Sequence, residues 1–336
     1  MNKLPKLVCK NVWKLYGNKP KEFLHQHNNN PDQETIKKAG YIQAIRDASL
    51  EVYENEILVV MGLSGSGKST LVRCMSRLVD PTIGEIFFEN IDMGKLSKKE
   101  LIEIRRHKMG MVFQHFALFP HRTVIENIAF PLEVQGIKKK EREKSALEII
   151  ELVGLEGRED YFPKELSGGQ QQRVGIGRSL AVKPELWFLD EPFSSLDPLI
   201  RKEMQNEFLK IQSTLKKTII FITHDFDEAI KLADRIIIMN EGIIVQIGSP
   251  EDLIMKPADD YVKEFTEDLH RERLLSVKSI MNHNKNPSNS SSVYEDEKIF
   301  KILEKVLSEG SVSVINRSNE IVGSLDKETI SKFIYD

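Results

Sequence analysis

The stretch Gly62-Leu63-Ser64-Gly65-Ser66-Gly67-Lys68-Ser69-Thr70 has the spacing G-x-x-x-x-G-K-[ST] of a phosphate-binding loop. Before it runs Glu56-Ile57-Leu58-Val59-Val60-Met61, an apolar segment of strand length. After it runs Leu71-Val72-Arg73-Cys74-Met75-Ser76-Arg77-Leu78, with Leu71, Met75 and Leu78 at helical spacing. Strand, glycine loop and helix together are the context this motif needs. The glycines let successive N–H groups curl inward as an anion nest. The helix that follows adds about half a positive charge at its N-terminus. Lys68 is expected to reach the β- and γ-phosphates of a nucleotide, and the Ser69 hydroxyl to ligate Mg²⁺.

The rest of the composition narrows the class. With 336 residues, 40% apolar and 29% charged, the chain can form one large domain and an accessory one. A net charge of −3 gives no global basic field for nucleic acid. Cys9 and Cys74 read as small buried hydrophobes in a reducing compartment. Met1-Asn2-Lys3-Leu4-Pro5-Lys6 has no apolar leader core, and no apolar run reaches the ~18 residues of a membrane span. The composition reads as cytoplasmic, with any association with the cell membrane made through a partner.

In chain order, 7–16 and 45–53 read as strands, the latter with Ala48, Leu50 and Val52 on one face. The polar stretch 18–40 between them reads as an insertion of underivable packing. Pro81–Gly84 is turn chemistry before a strand at 85–88, and Ser97-Lys98-Lys99-Glu100 is a capping box. A buried strand at 109–114 precedes a helical region, about 115–182, broken near Gly136 and Tyr161–Pro163. Apolar strands at 186–191, 218–223 and 235–239 alternate with helices at 198–215 and 225–233, which predicts a mostly parallel sheet covered on both faces. A hairpin follows across Glu241-Gly242. The Asn/Ser-rich 283–292 reads as a linker, ahead of a helix near 295–307 and a strand pair at 312–315 and 321–323.

Asp190 closes an apolar strand, which puts its carboxylate at the ligand-binding edge of the sheet as the acidic partner of Ser69 toward Mg²⁺. Glu191, next in sequence, points elsewhere and is assigned as the general base for an attacking water. Ser167-Gly168-Gly169-Gln170 opens a second helix with free N–H groups. One nucleotide does not need two nests on one chain. A head-to-tail dimer, with ATP between Gly62–Thr70 of one subunit and Ser167–Gln170 of the other, accounts for both.

These motifs, with Ser194-Ser195-Leu196-Asp197 and the histidine of Ile222-Thr223-His224-Asp225, occur in the order found in ABC-transporter ATPase subunits, which the chain resembles over about 6–270. Met111–Val124, Ser195–Arg201, Pro257–Val262 and the insertion at 18–40 are similar to the glycine betaine/proline (quaternary ammonium) transport ATP-binding proteins. The resemblance implies a P-loop NTPase α/β core, RecA-like, with an antiparallel β-subdomain and an inserted helical subdomain within 1–270. It implies a homodimer on integral-membrane permease subunits, served by a substrate-binding protein, and ATP hydrolysis driving osmolyte import. By the same resemblance Tyr16 stacks on adenine, Gln114 contacts Mg²⁺ and senses the permease, Asp197 lies at the dimer interface, and His224 contacts the γ-phosphate. His115 and His121 face the permease. Residues 271–336 resemble a linker and one cystathionine-β-synthase-type (CBS) module, which either pairs with that of the other subunit or is a remnant. Choline, amino-acid or polyamine import is the alternative cargo reading, and a soluble non-transport ABC ATPase the remote one.

Overall fold

Ile57–Met61, Leu186–Asp190 and Thr218–Ile222 are buried at every position, as strands covered on both faces must be. The computed structural model describes residues 4–114, 116–267, 271–283 and 291–335. His115 and most of the expected linker at 283–292 lie outside the described residues. The described chain divides into two compact units, Met1–Ile247 and Gly248–Asp336.

In the first unit the buried strands belong to a six-stranded sheet. Its order is Ile243–Gly248, Arg235–Asn240, Ile57–Met61, Thr218–Ile222, Leu186–Asp190, Met109–Val112. Pairing is parallel from Arg235–Asn240 through Met109–Val112. All the strand ends that carry candidate residues therefore lie at one edge. A four-stranded antiparallel sheet (Ile42–Tyr53, Pro5–Tyr16, Ile83–Phe88, Ile91–Asp92) packs on it. Leu7, Val12, Leu50 and Val52 share a core with Leu58, Val60, Val72 and Phe188.

The helical region consists of Val124–Val134, Lys139–Leu152 and Gly168–Leu180. Gly136, at φ +82°, makes the first break. Capping boxes at Ser97 and Thr123 set two helix starts. The helix after the glycine loop is shorter than its periodicity predicts. It ends at Met75, Arg77 turns left-handed at φ +55°, and Leu78 is left exposed.

The insertion at 18–40 folds into two short helices, Pro20–Gln26 and Gln33–Lys38. Phe23, Leu24 and Ile36 form a small core with Trp13 and Leu15, and Tyr41 stacks on Phe23 at 4.3 Å. The partners of this core lie outside the insertion, so the polar stretch alone concealed it.

At the opposite edge of the sheet from the glycine loop, Lys6 bridges Glu89 and Glu185, and Lys108 pairs with Glu89 at 2.6 Å and Glu185 at 3.3 Å. Burial opposes the charge on Glu89, but hydrogen bonds from Lys108 and Lys6 prevail and draw its pKa from 4.5 down to about 2. A carboxylate depressed in the folded state stabilises the fold above its unfolded pKa and loses that contribution as pH falls through the folded one. Stability should therefore be flat from pH 7 to about 5 and fall between about pH 4.5 and 2, by ~1–2 kcal/mol for this group after solvent screening. Glu89→Gln should lower stability at pH 7 and flatten that acid limb, read by chemical denaturation across the pH range.

The second unit holds a three-stranded sheet, Ser292–Tyr294, Ser311–Ile315, Ile321–Asp326, parallel then antiparallel. Ile299, Ile302 and Val306 of the helix Ile299–Glu309 are buried. Glu251, on the helix Pro250–Met255, accepts hydrogen bonds from Ser276 (3.2 Å), Ser279 (2.5 Å) and Lys298 (3.2 Å). Burial alone would raise its pKa, but these donors bring it below the usual carboxylate value.

Candidate active site

Crowding explains why two of the loop positions must be glycine. Gly62 has φ +146°, and a Cβ there would lie 2.1 Å from the Met239 carbonyl oxygen. Gly67 has φ +98°, and its Cβ would lie 2.2 Å from the Ala44 carbonyl oxygen. Gly67 is also the residue from which the helix Lys68–Met75 starts. The loop is tied to the following hairpin, since Gly242 N donates to the Ser66 carbonyl at 3.0 Å. Leu63, Ser64 and Gly65 are exposed at its outer rim, and Thr70 is partly buried on the helix.

Lys68 is only 6% exposed, and its Nζ donates to the Gly62 and Leu63 carbonyls at 2.8 and 2.9 Å. Burial lowers its pKa, an effect partly offset by the charges of Glu191 and Asp190. Ser69 Oγ donates to Asp190 Oδ1 at 3.1 Å. Burial pushes the Asp190 carboxyl upward, against the Ser69 hydrogen bond and the Arg73 charge. A buried carboxylate raised in this way gains from a cation beside it.

Glu191 takes different partners. Its Oε2 accepts from Gln114 Nε2 at 3.2 Å and lies 3.1 Å from His224 Nδ1. A carboxylate can only accept, so His224 carries its proton on Nδ1 in this contact. Glu191 has φ +47°, a conformation uncommon for a non-glycine residue. Its amide donates to the Ile222 carbonyl at 3.1 Å, so the turn is built onto the neighbouring strand.

Ser167 and Gln170 bond to each other. Ser167 Oγ accepts from the Gln170 amide at 3.4 Å, and Gln170 Oε1 accepts from the Ser167 amide at 3.0 Å. The start of the helix Gly168–Leu180 is exposed at Ser167 and Gly168, and Gly169 and Gln170 are partly so. Asp197 occupies the N-cap position of the helix Pro198–Leu215 without capping it through its side chain. Tyr16 ends its strand 43% exposed, with Lys14 Nζ 4.9 Å from its ring centre.

The ABC transporter profile matches residues 45–194. The trimethylamine N-oxide transport system ATP-binding protein TmoW of Pelagibacter ubique is 54% identical over 98% of both chains. The glycine betaine transport ATP-binding protein OpuAA of Bacillus subtilis is 44% identical over 95% of this chain and 75% of its own. The chain belongs to the ATP-binding subunits of ABC transporters. Among solved structures, the dimeric post-hydrolysis ATP-binding cassette MJ0796 bound to ADP and Pi aligns with TM-score 0.61 and 33% identity. That alignment covers 73% of this chain and 98% of the other. The activity of this ABC ATPase is thus ATP hydrolysis coupled to transport.

The fold of this ABC ATPase brings Ser69 to Asp190, and Gln114 and His224 to Glu191. It holds Ser167–Gln170 and Asp197 on other elements. Sequence reasoning passed over Ser194 and Arg201, both bonded around Glu191. Both stand in motifs quoted above, but their bonds around Glu191 are contacts that only the fold creates.

Proposed function

We propose that this ABC ATPase hydrolyses MgATP to drive import of a methylated-amine osmolyte, trimethylamine N-oxide or glycine betaine. The observation carrying the cargo is the 54% identity, end to end, with a trimethylamine N-oxide transport subunit. Glycine betaine is supported by OpuAA at 44%.

The nest of Gly62–Thr70 binds the phosphates, Lys68 neutralises them, and Tyr16 packs on the base. Ser69 and Asp190, bonded to each other, would hold Mg²⁺, with Gln114 as the third ligand the family resemblance implies. The described residues contain no group of three or more His, Cys, Asp or Glu able to hold a metal unaided, and Mg²⁺ characteristically takes one or two carboxylates plus phosphate oxygens. When bound, the ion neutralises charge on the transferring phosphoryl. Glu191 accepts the proton of the attacking water, and His224 holds that carboxylate in place.

Ser167–Gln170 and Asp197 serve the nucleotide of a second copy, which makes the working unit a homodimer. The exposed helix start at Ser167 and the uncommitted Asp197 carboxylate support this. The permease partner is supported by an open apolar groove of about 620 Å³ whose lining includes Leu78, Phe113, Phe119, Phe130 and Arg178. His121 sits edge-on to Phe119 at 6.0 Å. Among the described residues no helix is long and apolar enough to cross a membrane. Membership of a transport system supports a subunit held at the cytoplasmic face by the permease, with a substrate-binding protein delivering cargo. In the second unit, a three-stranded sheet flanked by the helices Ile299–Glu309 and Lys327–Tyr335 supports a single CBS-type module.

The test is uptake by the transporter reassembled with its permease and binding protein. Trimethylamine N-oxide or glycine betaine should stimulate ATP hydrolysis and be accumulated in vesicles. Stimulation by choline or an amino acid instead, with neither methylated osmolyte active, would overturn the cargo.

A further inference from the structure

A guanidinium with no part in the chemistry above closes a circuit of bonds around Glu191. Arg201, in the first turn of the helix Pro198–Leu215, donates from Nε to the Phe193 carbonyl at 3.2 Å. Its Nη2 donates to the Ser194 and Leu196 carbonyls at 3.4 and 3.2 Å, and its Nη1 pairs with Asp225 Oδ2 at 3.4 Å. Ser194 donates to the Glu191 carbonyl from Oγ at 3.0 Å and from its amide at 3.3 Å. Asp225 follows His224, whose Nδ1 contacts the Glu191 carboxylate. The path runs from Glu191 through Ser194, Arg201, Asp225 and His224 back to Glu191.

The same segment touches the start of the helix Gly168–Leu180. Leu196 Cδ2 lies 3.6 Å from where a Cβ on Gly168 would be, and Ile200 Cγ2 lies 2.9 Å from that of Gly169. Arg201 thus bonds to the segment that touches both the glycines assigned to the partner's nucleotide and the assigned base. The left-handed turn at Glu191 also needs bonds from its surroundings to persist.

We infer that Arg201 is a positioning residue for hydrolysis, fixing the 193–197 loop to the His224–Asp225 turn so that contact at the dimer face sets Glu191 and His224 together. The inference rests on the reading of Glu191 as base. Only a planar fork reaches three carbonyls and a carboxylate in different directions, and a lysine ammonium cannot. Asp225 Oδ1 also caps the helix Phe226–Leu232 through the Glu228 amide at 3.0 Å. Asparagine keeps that cap, so Asp225→Asn removes the bond and the charge pair with Arg201 while leaving the helix start intact.

The test measures MgATP hydrolysis and thermal unfolding of the full chain as Arg201→Lys, Asp225→Asn, the double variant and, in parallel, Glu191→Gln. Each single variant should lose about 10-fold in kcat with KM for ATP changed by less than about 2-fold, and the double variant should be no slower than the slower single one. Unchanged kcat, multiplying losses, or a rise in KM that tracks a fall in Tm would overturn the inference. Wild-type turnover in Glu191→Gln would instead sink the base assignment, and the inference with it. An inactive Glu191→Gln beside wild-type rates in Arg201→Lys and Asp225→Asn would remove the positioning role only.

Discussion

Glu191→Gln should leave ATP binding near the wild-type level and cut turnover by about 10²–10⁴-fold, or ~3–5 kcal/mol in the barrier. The two side chains have the same shape, and a glutamine amide oxygen can still accept a bond where Oε2 now meets Gln114 and His224. What it cannot do is take a proton from water. The backbone at φ +47° is occupied by a non-glycine residue either way, so the substitution adds no strain there. The charge change has one further consequence. A carboxylate beside the phosphates repels them, and removing its charge relieves that repulsion. Nucleotide titration should therefore show affinity held or slightly improved, while single-turnover hydrolysis collapses.

Lys68→Ala should fail in a different way. The ammonium is buried and spans the loop to the Gly62 and Leu63 carbonyls. Its loss removes a charge-assisted phosphate contact and leaves two carbonyls without their donor. Affinity for MgATP should drop about 10–100-fold, ~1.5–3 kcal/mol, and turnover should fall with it. The contrast is what discriminates. Equal loss of nucleotide affinity in the two variants would show that Glu191 helps to bind ATP rather than acting as the base.

The features legible in the sequence were those carried by neighbouring residues. The glycine loop announces itself because its strand and helix adjoin it, and Ser97 because its cap partner is three residues away. Asp190 is placed because a short apolar strand ends on it. The illegible features depend on distant partners. Phe23, Leu24 and Ile36 look stranded in a polar insertion until Trp13 and Leu15 are set beside them. Leu78 fits a helical stripe on paper, yet the helix stops at Met75 and the side chain joins an open groove instead. Gly67 reads as part of an anion nest, but the close approach of the Ala44 carbonyl is a further demand on it. Arg201 spans from 193 to 225 by its contacts alone.

The parallel register of the central sheet bears on how the protein is made. Ile57–Met61 pairs on one side with Thr218–Ile222 and on the other with Arg235–Asn240. Its neighbours, ending at Ile222 and Asn240, therefore leave the ribosome only after roughly 160 and 180 further residues, which at ordinary synthesis rates takes on the order of 10–40 s. The antiparallel sheet is complete once Ile91–Asp92 has emerged and can form early. The apolar strand feeding the glycine loop meanwhile waits unpaired, a natural client for holding chaperones. Nucleotide cannot hasten that step, because its own cradle exists only after the sheet has closed.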